Sequence, residues 1–221
     1  HRIVQPAAPP HNKARSSRHG TYRDIPQWAR DKPVVSTVRN PFTRYTSAYL
    51  YQTRMRKHLR PLAPEEELRA LYPAYPELAF AEYYDMLQRY EVPAGLGGAA
   101  PAIELGAQTV AFINFYFRDP AAVFAKIDEN YIASDAWRED MADIRFLHQE
   151  SLREEFVAFL AAMGYSEGEC ALAATLQQKN VATRRDDEQS PAHFYSPELR
   201  ALVLRRDALI FRMFPEYAEP W

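Results

Sequence analysis

The chain has 221 residues, of which 47% are hydrophobic and 25% are charged. This balance is typical of an ordinary soluble globular protein with one sizeable core, and no apolar run approaches the roughly 20 residues that a membrane-spanning helix needs. Cys170 is the single cysteine, which excludes an internal disulfide framework and favours a reducing, cytoplasmic location.

The net charge of −2 conceals a strong asymmetry along the chain. Residues 1–60 carry 13 Lys and Arg and two acids, whereas residues 61–221 carry 14 Lys and Arg and 27 acids. A basic segment on an acidic body usually marks the place where an anion binds. The alternative is a basic tail that is merely solvated.

The first predicted elements are an arm, a strand and a helix. Residues 1–20 are polar and rich in proline, which predicts a loop or an extended basic arm. Residues 33–38, PVVSTV, form a β-branched run that predicts a buried parallel strand. Asn40 and Pro41 then begin a helix, with Asn40 as its N-cap, and we expect it to run to about Leu59.

The middle of the chain predicts two helices and a loop. Helical spacing covers residues 65–72 and 77–91. The segment 92–106 holds four of the seven glycines, and we expect a mobile loop of the kind that often carries binding function. The apolar run at 108–117 is ambiguous between a strand and a buried helix.

The remaining elements complete an α/β pattern. Residues 143–147 predict a second strand, and the amphipathic helix after it ends at Gly164. Residues 177–191 predict a polar loop, after which Ser196 opens a last helix. We therefore predict one domain over residues 1–221, dominated by helices, with a small central parallel sheet.

The corner between the first strand and its helix has the chemistry of an anion site. Asn40, Arg44, Ser47 and Tyr51 share one helix face, and Arg39 stands at the carboxyl end of the strand, where open sheets place ligands. Guanidinium groups, a hydroxyl and a helix N-terminus together suit phosphate. The alternative is an exposed polar face whose arginines pair with the acidic body.

Residues 38–51, VRNPFTRYTSAYLY, resemble the 3′-phosphate-binding segment of a known family. These are the sulfotransferases that use 3′-phosphoadenosine 5′-phosphosulfate (PAPS), particularly the carbohydrate-type and bacterial branches. In that family an arginine ends a strand and a serine follows eight residues later on the helix. The resemblance implies that Arg39 and Ser47 hold the 3′-phosphate of PAPS and of its product, 3′-phosphoadenosine 5′-phosphate (PAP).

Three further segments extend this resemblance, with gaps, over most of residues 18–214. Residues 18–26 resemble the histidine-containing segment of the family, and residues 143–165 resemble its strand and Glu-x-Leu helix. The segment NVATRR and the helix that follows at 195–211 are similar to its closing loop and helix. The resemblance implies a P-loop-type sulfotransferase fold that needs no metal.

Two site residues follow from the resemblance. His19 matches the general base of the family, and an imidazole can accept the proton of an attacking hydroxyl because it titrates near neutral pH. A surface histidine in a basic loop is the alternative. Arg184 lies where the family often places another cofactor contact, although the acids at 186–188 also permit local ion pairs.

One family signature has no counterpart in this sequence. The family carries a strand, a Lys-Thr/Ser-Gly loop and a helix that wrap the 5′-phosphosulfate, and the lysine of that loop is catalytic. Nothing in residues 1–17 matches it, so we expect this loop to lie upstream of His1. A chain that truly lacked it should have little transferase activity.

The predicted function is transfer of a sulfuryl group from PAPS to a hydroxyl acceptor such as a carbohydrate, with no nucleic acid as partner. One alternative is a non-catalytic module that binds PAP. Another is a polyanion- or RNA-binding protein that uses the basic N-terminal segment, for which steep salt dependence would be the signature.

Overall fold

The computed structural model describes residues 20–54, 62–175 and 190–219, and helices dominate it. The two strands are β1 (Val34–Val38) and β2 (Ile144–His148). The helices are α1 (Pro41–Arg54), α2 (Glu65–Leu71), α3 (Phe80–Leu96), α4 (Ala107–Tyr116), α5 (Pro120–Lys126), α6 (Glu129–Ala133), α7 (Trp137–Asp140), α8 (Leu152–Ala162), α9 (Glu167–Thr175), α10 (Pro197–Arg206) and α11 (Ala208–Met213). The predicted helix-dominated α/β class is therefore confirmed.

The two strands pair in parallel and end at the same edge of the sheet. Val34 lies opposite Ile144, and Val38 lies opposite His148. Both predicted strands are confirmed to within one residue at each end. Because the carboxyl ends coincide, the chain leaves β1 at Arg39 beside the end of β2.

The start of α1 is formed as the sequence predicts. The Asn40 side-chain oxygen accepts a hydrogen bond from the Phe42 backbone N–H at 2.9 Å, which confirms Asn40 as the cap. Phe42 and Tyr45 are 0% exposed, and their rings pack against Tyr195 and Tyr84 at centroid distances of 5.0 and 5.1 Å. The predicted end of this helix near Leu59 lies outside the described residues.

The loop predicted at 92–106 begins later than expected, because α3 continues to Leu96. A Cβ on Gly95 would lie 2.5 Å from Val110 Cγ1, so this glycine lets α3 approach α4 closely. The Asn114 side-chain amide donates to the Gly95 carbonyl at 2.8 Å and holds that contact. The helix ends where Gly97 adopts a left-handed conformation with φ of 60°.

In two other segments the structure settles an ambiguous sequence prediction or corrects one. The ambiguous run at 108–117 is helix α4, which buries most of its first half in the core. The last helix predicted from Ser196 is two helices, α10 and α11, separated at Asp207. Ser196 caps α10 as expected, since its hydroxyl accepts from the Leu199 N–H at 3.2 Å.

The break at Asp207 places a carboxylate in the centre of the core, where it is 0% exposed. One oxygen accepts from the Thr109 backbone N–H at 2.8 Å, in the first turn of α4. The other accepts from the Tyr45 hydroxyl at 2.9 Å. Burial raises the pKa of Asp207 to about 6, against these hydrogen bonds. One side chain thus joins α1, α4 and the junction of α10 and α11.

This contact predicts the effect of a methyl group at Gly106, where a Cβ would lie 2.3 Å from an Asp207 carboxylate oxygen. Gly106→Ala should lower the free energy of unfolding by about 1–3 kcal/mol, because the buried carboxylate has no room to move. Urea denaturation of the two chains measures this difference.

The matched control is Gly168→Ala in α9, where an added Cβ would meet open space. That change should leave stability unchanged or raise it by up to about 1 kcal/mol, because alanine favours helix over glycine. Equal stability of Gly106→Ala and the parent would contradict the described contact at Asp207.

Candidate functional site

A cavity of about 620 Å³ opens where β1 leads into α1. One wall is the second half of β1, residues 36–39, and the start of α1, with Pro41 and Arg44. The opposite wall is α4, which contributes Gln108 at one end and Tyr116 at the other. The cavity therefore lies at the carboxyl end of a parallel strand, the position where open α/β sheets bind ligands.

Arg39 enters this cavity directly from the end of β1. Its Nε donates to the Thr43 hydroxyl at 3.0 Å, and that hydroxyl donates to the Asn40 carbonyl, also at 3.0 Å. The guanidinium is thereby tied to the first turn of α1. This arrangement holds a positive charge beside a helix N-terminus, where the helix dipole also favours an anion.

Arg44 brings a second guanidinium to the same cavity from one turn further along α1. Its side chain is exposed, and within the described parts of the chain no side-chain hydrogen bond or ion pair engages its guanidinium, although it lies near enough to Glu91 for its charge to lower the pKa of that carboxyl against the effect of burial. Its charge is thus available to a bound group. Guanidinium groups suit phosphate because their N–H donors match pairs of phosphate oxygens.

The structure places the other predicted site residues differently. Ser47 is half-buried and is not among the residues that line the cavity. His19 and Arg184 lie outside the described residues, although Gly20, which follows His19 in sequence, lines the cavity. Arg39 is thus the predicted phosphate ligand that the structure places in this cavity.

The helical spacing placed Arg44 on the predicted anion-binding face of the helix, and the structure brings it into the cavity. Gln108 is a lining residue to which no role was assigned from the sequence. Its spacing carries no signal, because it belongs to a segment that could be either strand or helix. Its place in the wall follows from the anchoring of α4 by Asp207.

The wall farther from the arginines is aromatic. The Ser36 and Tyr116 hydroxyls form a hydrogen bond of 2.9 Å across the cavity, from β1 to α4. Behind Tyr116, the rings of Phe112 and Phe146 pack at centroid distances of 4.7 and 5.0 Å from it. The cavity therefore offers cationic groups at one end and flat apolar surface at the other.

A second polar cluster surrounds His148 at the end of β2. Its Nδ1 lies 3.0 Å from a Glu155 oxygen and its Nε2 lies 2.9 Å from a Glu216 oxygen. A neutral imidazole has one N–H and cannot donate to both carboxylates, whereas an imidazolium can. Burial alone would lower the pKa of His148, but the hydrogen bonds to the two glutamates outweigh it and raise the pKa.

This cluster is linked to the start of α1 through the C-terminal segment. Glu216 belongs to a short 3-10 helix, Pro215–Ala218. In that turn the Tyr217 carbonyl accepts from the Asn40 side-chain amide at 3.4 Å, and its hydroxyl donates to Glu150 at 3.0 Å. The residue that caps α1 is therefore held by the C-terminal segment.

Comparisons of the chain with family models, with curated proteins and with solved structures found no match. Within residues 20–54, 62–175 and 190–219, no group of three or more His, Cys, Asp or Glu side chains could hold a metal ion. None of the helices in those ranges combines the length and the apolar character that a bilayer crossing demands. The cavity itself therefore carries the functional argument.

The geometry at His148 predicts a pKa above the ordinary histidine range, measurable by NMR titration of its ring signals. Because the folded-state pKa of His148 is raised, the stability that its ion pairs add to the fold is fully present below about pH 6.5 and is lost as pH rises through the folded-state pKa. The side chains of His148, Glu155 and Glu216 are 31–51% exposed, so solvent screening limits this contribution to under about 1 kcal/mol.

Glu216→Gln should lower the pKa of His148, because it removes one of the two carboxylates that favour the imidazolium. The control is Glu219→Gln, which removes the same charge from the same segment without a hydrogen bond to His148. A pKa of His148 that does not respond to Glu216→Gln would contradict the described cluster.

Proposed function

We propose that the cavity binds the 3′-phosphate of PAPS and that the protein is a sulfotransferase with a P-loop-type fold. One observation carries the proposal: Arg39, from the end of β1, and Arg44, from α1, line one cavity at the N-terminal end of that helix. Two guanidinium groups and a helix dipole at one place supply both the charge and the hydrogen-bond donors that a phosphate needs.

The assignment of phosphate ligands follows the cavity. Arg39 and Arg44 make the proposed contacts to the 3′-phosphate. Ser47 lies one turn beyond Arg44 on α1 and does not line the cavity, so its contact to the 3′-phosphate is proposed on the resemblance of its segment alone. Arg184 is proposed as a further contact, on the resemblance of its segment alone.

The proposed reaction is an in-line displacement at sulfur. The acceptor oxygen attacks the sulfur, the bond between sulfur and the phosphate oxygen breaks, and PAP leaves with the electron pair of that bond. The acceptor proton passes to His19, which the resemblance assigns as base. Turnover equal to that of the parent in a His19→Ala chain would contradict this role.

The second candidate is a module that binds PAP without transferring sulfuryl groups. It is favoured by one observation, since the 221 residues contain no match to the lysine loop that holds the 5′-phosphosulfate. Both candidates share the 3′-phosphate site and differ only in turnover. The polyanion-binding alternative depends on the basic N-terminal segment, of which residues 1–19 lie outside the described residues.

The proposal predicts that the chain prefers PAP to 5′-AMP, which lacks the 3′-phosphate. Calorimetric titration should show tighter binding of PAP, and Arg44→Met should reduce PAP affinity about 10- to 100-fold, the range expected for a charged hydrogen bond. Affinity for 5′-AMP should change little, because that ligand does not engage Arg44.

Arg138→Met is the matched control, since it removes the same charge from an exposed site on α7. It should leave both affinities unchanged. Equal affinity for PAP and 5′-AMP, or a full preference for PAP in Arg44→Met, would contradict the proposed site. Steeply salt-dependent binding to RNA without a preference for PAP would favour the polyanion reading instead.

A further inference from the structure

A second cavity, of about 330 Å³, continues the first along β1. Gly20, Ser36, Phe115 and Tyr116 line both cavities, so the two meet at these residues. The first cavity lies along the second half of β1, and the second lies along its first half. The Ser36 and Tyr116 hydroxyls, which are hydrogen-bonded at 2.9 Å, lie at this junction.

The second cavity is lined mainly by apolar side chains. Ile25 and Pro26 form one side, Val34 and Ile144 come from the two strands, and Phe115 and Tyr116 come from α4. These residues are half-buried or exposed, so the cavity is open to a ligand from solvent. Its surface matches a flat apolar group.

Apart from the Tyr22 hydroxyl, which forms no hydrogen bond within the described residues, the polar side chains of this cavity are engaged with one another. The Thr21 hydroxyl donates to an Asp24 oxygen at 2.9 Å, and the Thr21 backbone N–H donates to the same oxygen at 2.6 Å. Ser36 and Tyr116 form the second pair, at 2.9 Å. A ligand with many hydroxyl groups would lose its hydration here and find few uncommitted partners in return.

We propose that the second cavity is the acceptor subsite and that it takes a planar aromatic alcohol. This inference rests on the proposed sulfotransferase function, for which the resemblance alone suggests a carbohydrate. The aromatic ring lies against Phe115 and Val34, where burial of its apolar faces stabilises the complex. Its hydroxyl points to the junction at Gly20 and Ser36, where the two cavities meet and the transferred group would arrive.

The test uses 2-naphthol and methyl glucoside as probes, each titrated by NMR into the 221-residue chain saturated with PAP. We expect saturable binding of 2-naphthol with at least about ten-fold higher affinity than methyl glucoside, a difference in free energy of about 1.4 kcal/mol. Val34→Asp should weaken 2-naphthol about ten-fold or more, because it places a charge against the apolar ring.

Three measurements keep the result interpretable. PAP affinity should be unchanged in Val34→Asp, which shows that the variant folds, and Ile25→Asp tests the same surface outside the sheet. Trp28→Ala is the control, since Trp28 is 71% exposed in the neighbouring segment and does not line the cavity. It should leave 2-naphthol binding unchanged.

The outcomes separate this inference from the function on which it rests. Tighter binding of methyl glucoside than of 2-naphthol, or 2-naphthol affinity that neither aspartate variant changes, overturns the aromatic acceptor subsite. Absence of PAP binding overturns the sulfotransferase proposal, and with it the acceptor role. In that case binding of 2-naphthol that Val34→Asp weakens would show an aromatic site without the acceptor role.

Discussion

The buried carboxylate of Asp207 is the contact on which the arrangement of the described helices depends. It accepts one hydrogen bond from the first turn of α4 and one from Tyr45 on α1, and it lies where α10 gives way to α11. A buried carboxylate without such partners would be strongly destabilising. The core therefore excludes any packing of these helices that separates Asp207 from its two hydrogen-bond partners. Gly106 supplies the space in which the Asp207 carboxylate approaches the start of α4.

The same contact positions the candidate site, because its partners are sequence neighbours of the cavity residues. Tyr45 follows Arg44 on α1, and Thr109 follows Gln108 on α4. The Tyr45 hydroxyl also accepts from the Gln108 backbone N–H at 3.2 Å, so the two walls of the cavity are joined at their base. The position of Arg39 does not depend on Asp207, because Arg39 follows the parallel strand β1. A rigid core thus presents two arginines to one opening.

The strand-to-helix corner could be predicted from sequence because its signals are local: a β-branched run, a capping asparagine and proline at the first helical position. The identity of α4 could not, since an apolar run of its length fits a strand or a buried helix and only its packing decides. The break at Asp207 is likewise a tertiary effect, because the apolar spacing continues across it. The spacing placed Arg44 and Ser47 on one face, but which of them lines the cavity depends on how far the wall extends along α1.

The central claim is that Arg39 and Arg44 together hold a 3′-phosphate at the start of α1. A crystal structure of the chain with bound PAP tests it most directly. We predict the 3′-phosphate oxygens within hydrogen-bond distance of both guanidinium groups, at roughly 2.7–3.2 Å, with the 5′-phosphate directed away from them. PAP bound at another surface, or in this cavity with its 3′-phosphate turned from both arginines, would contradict the claim.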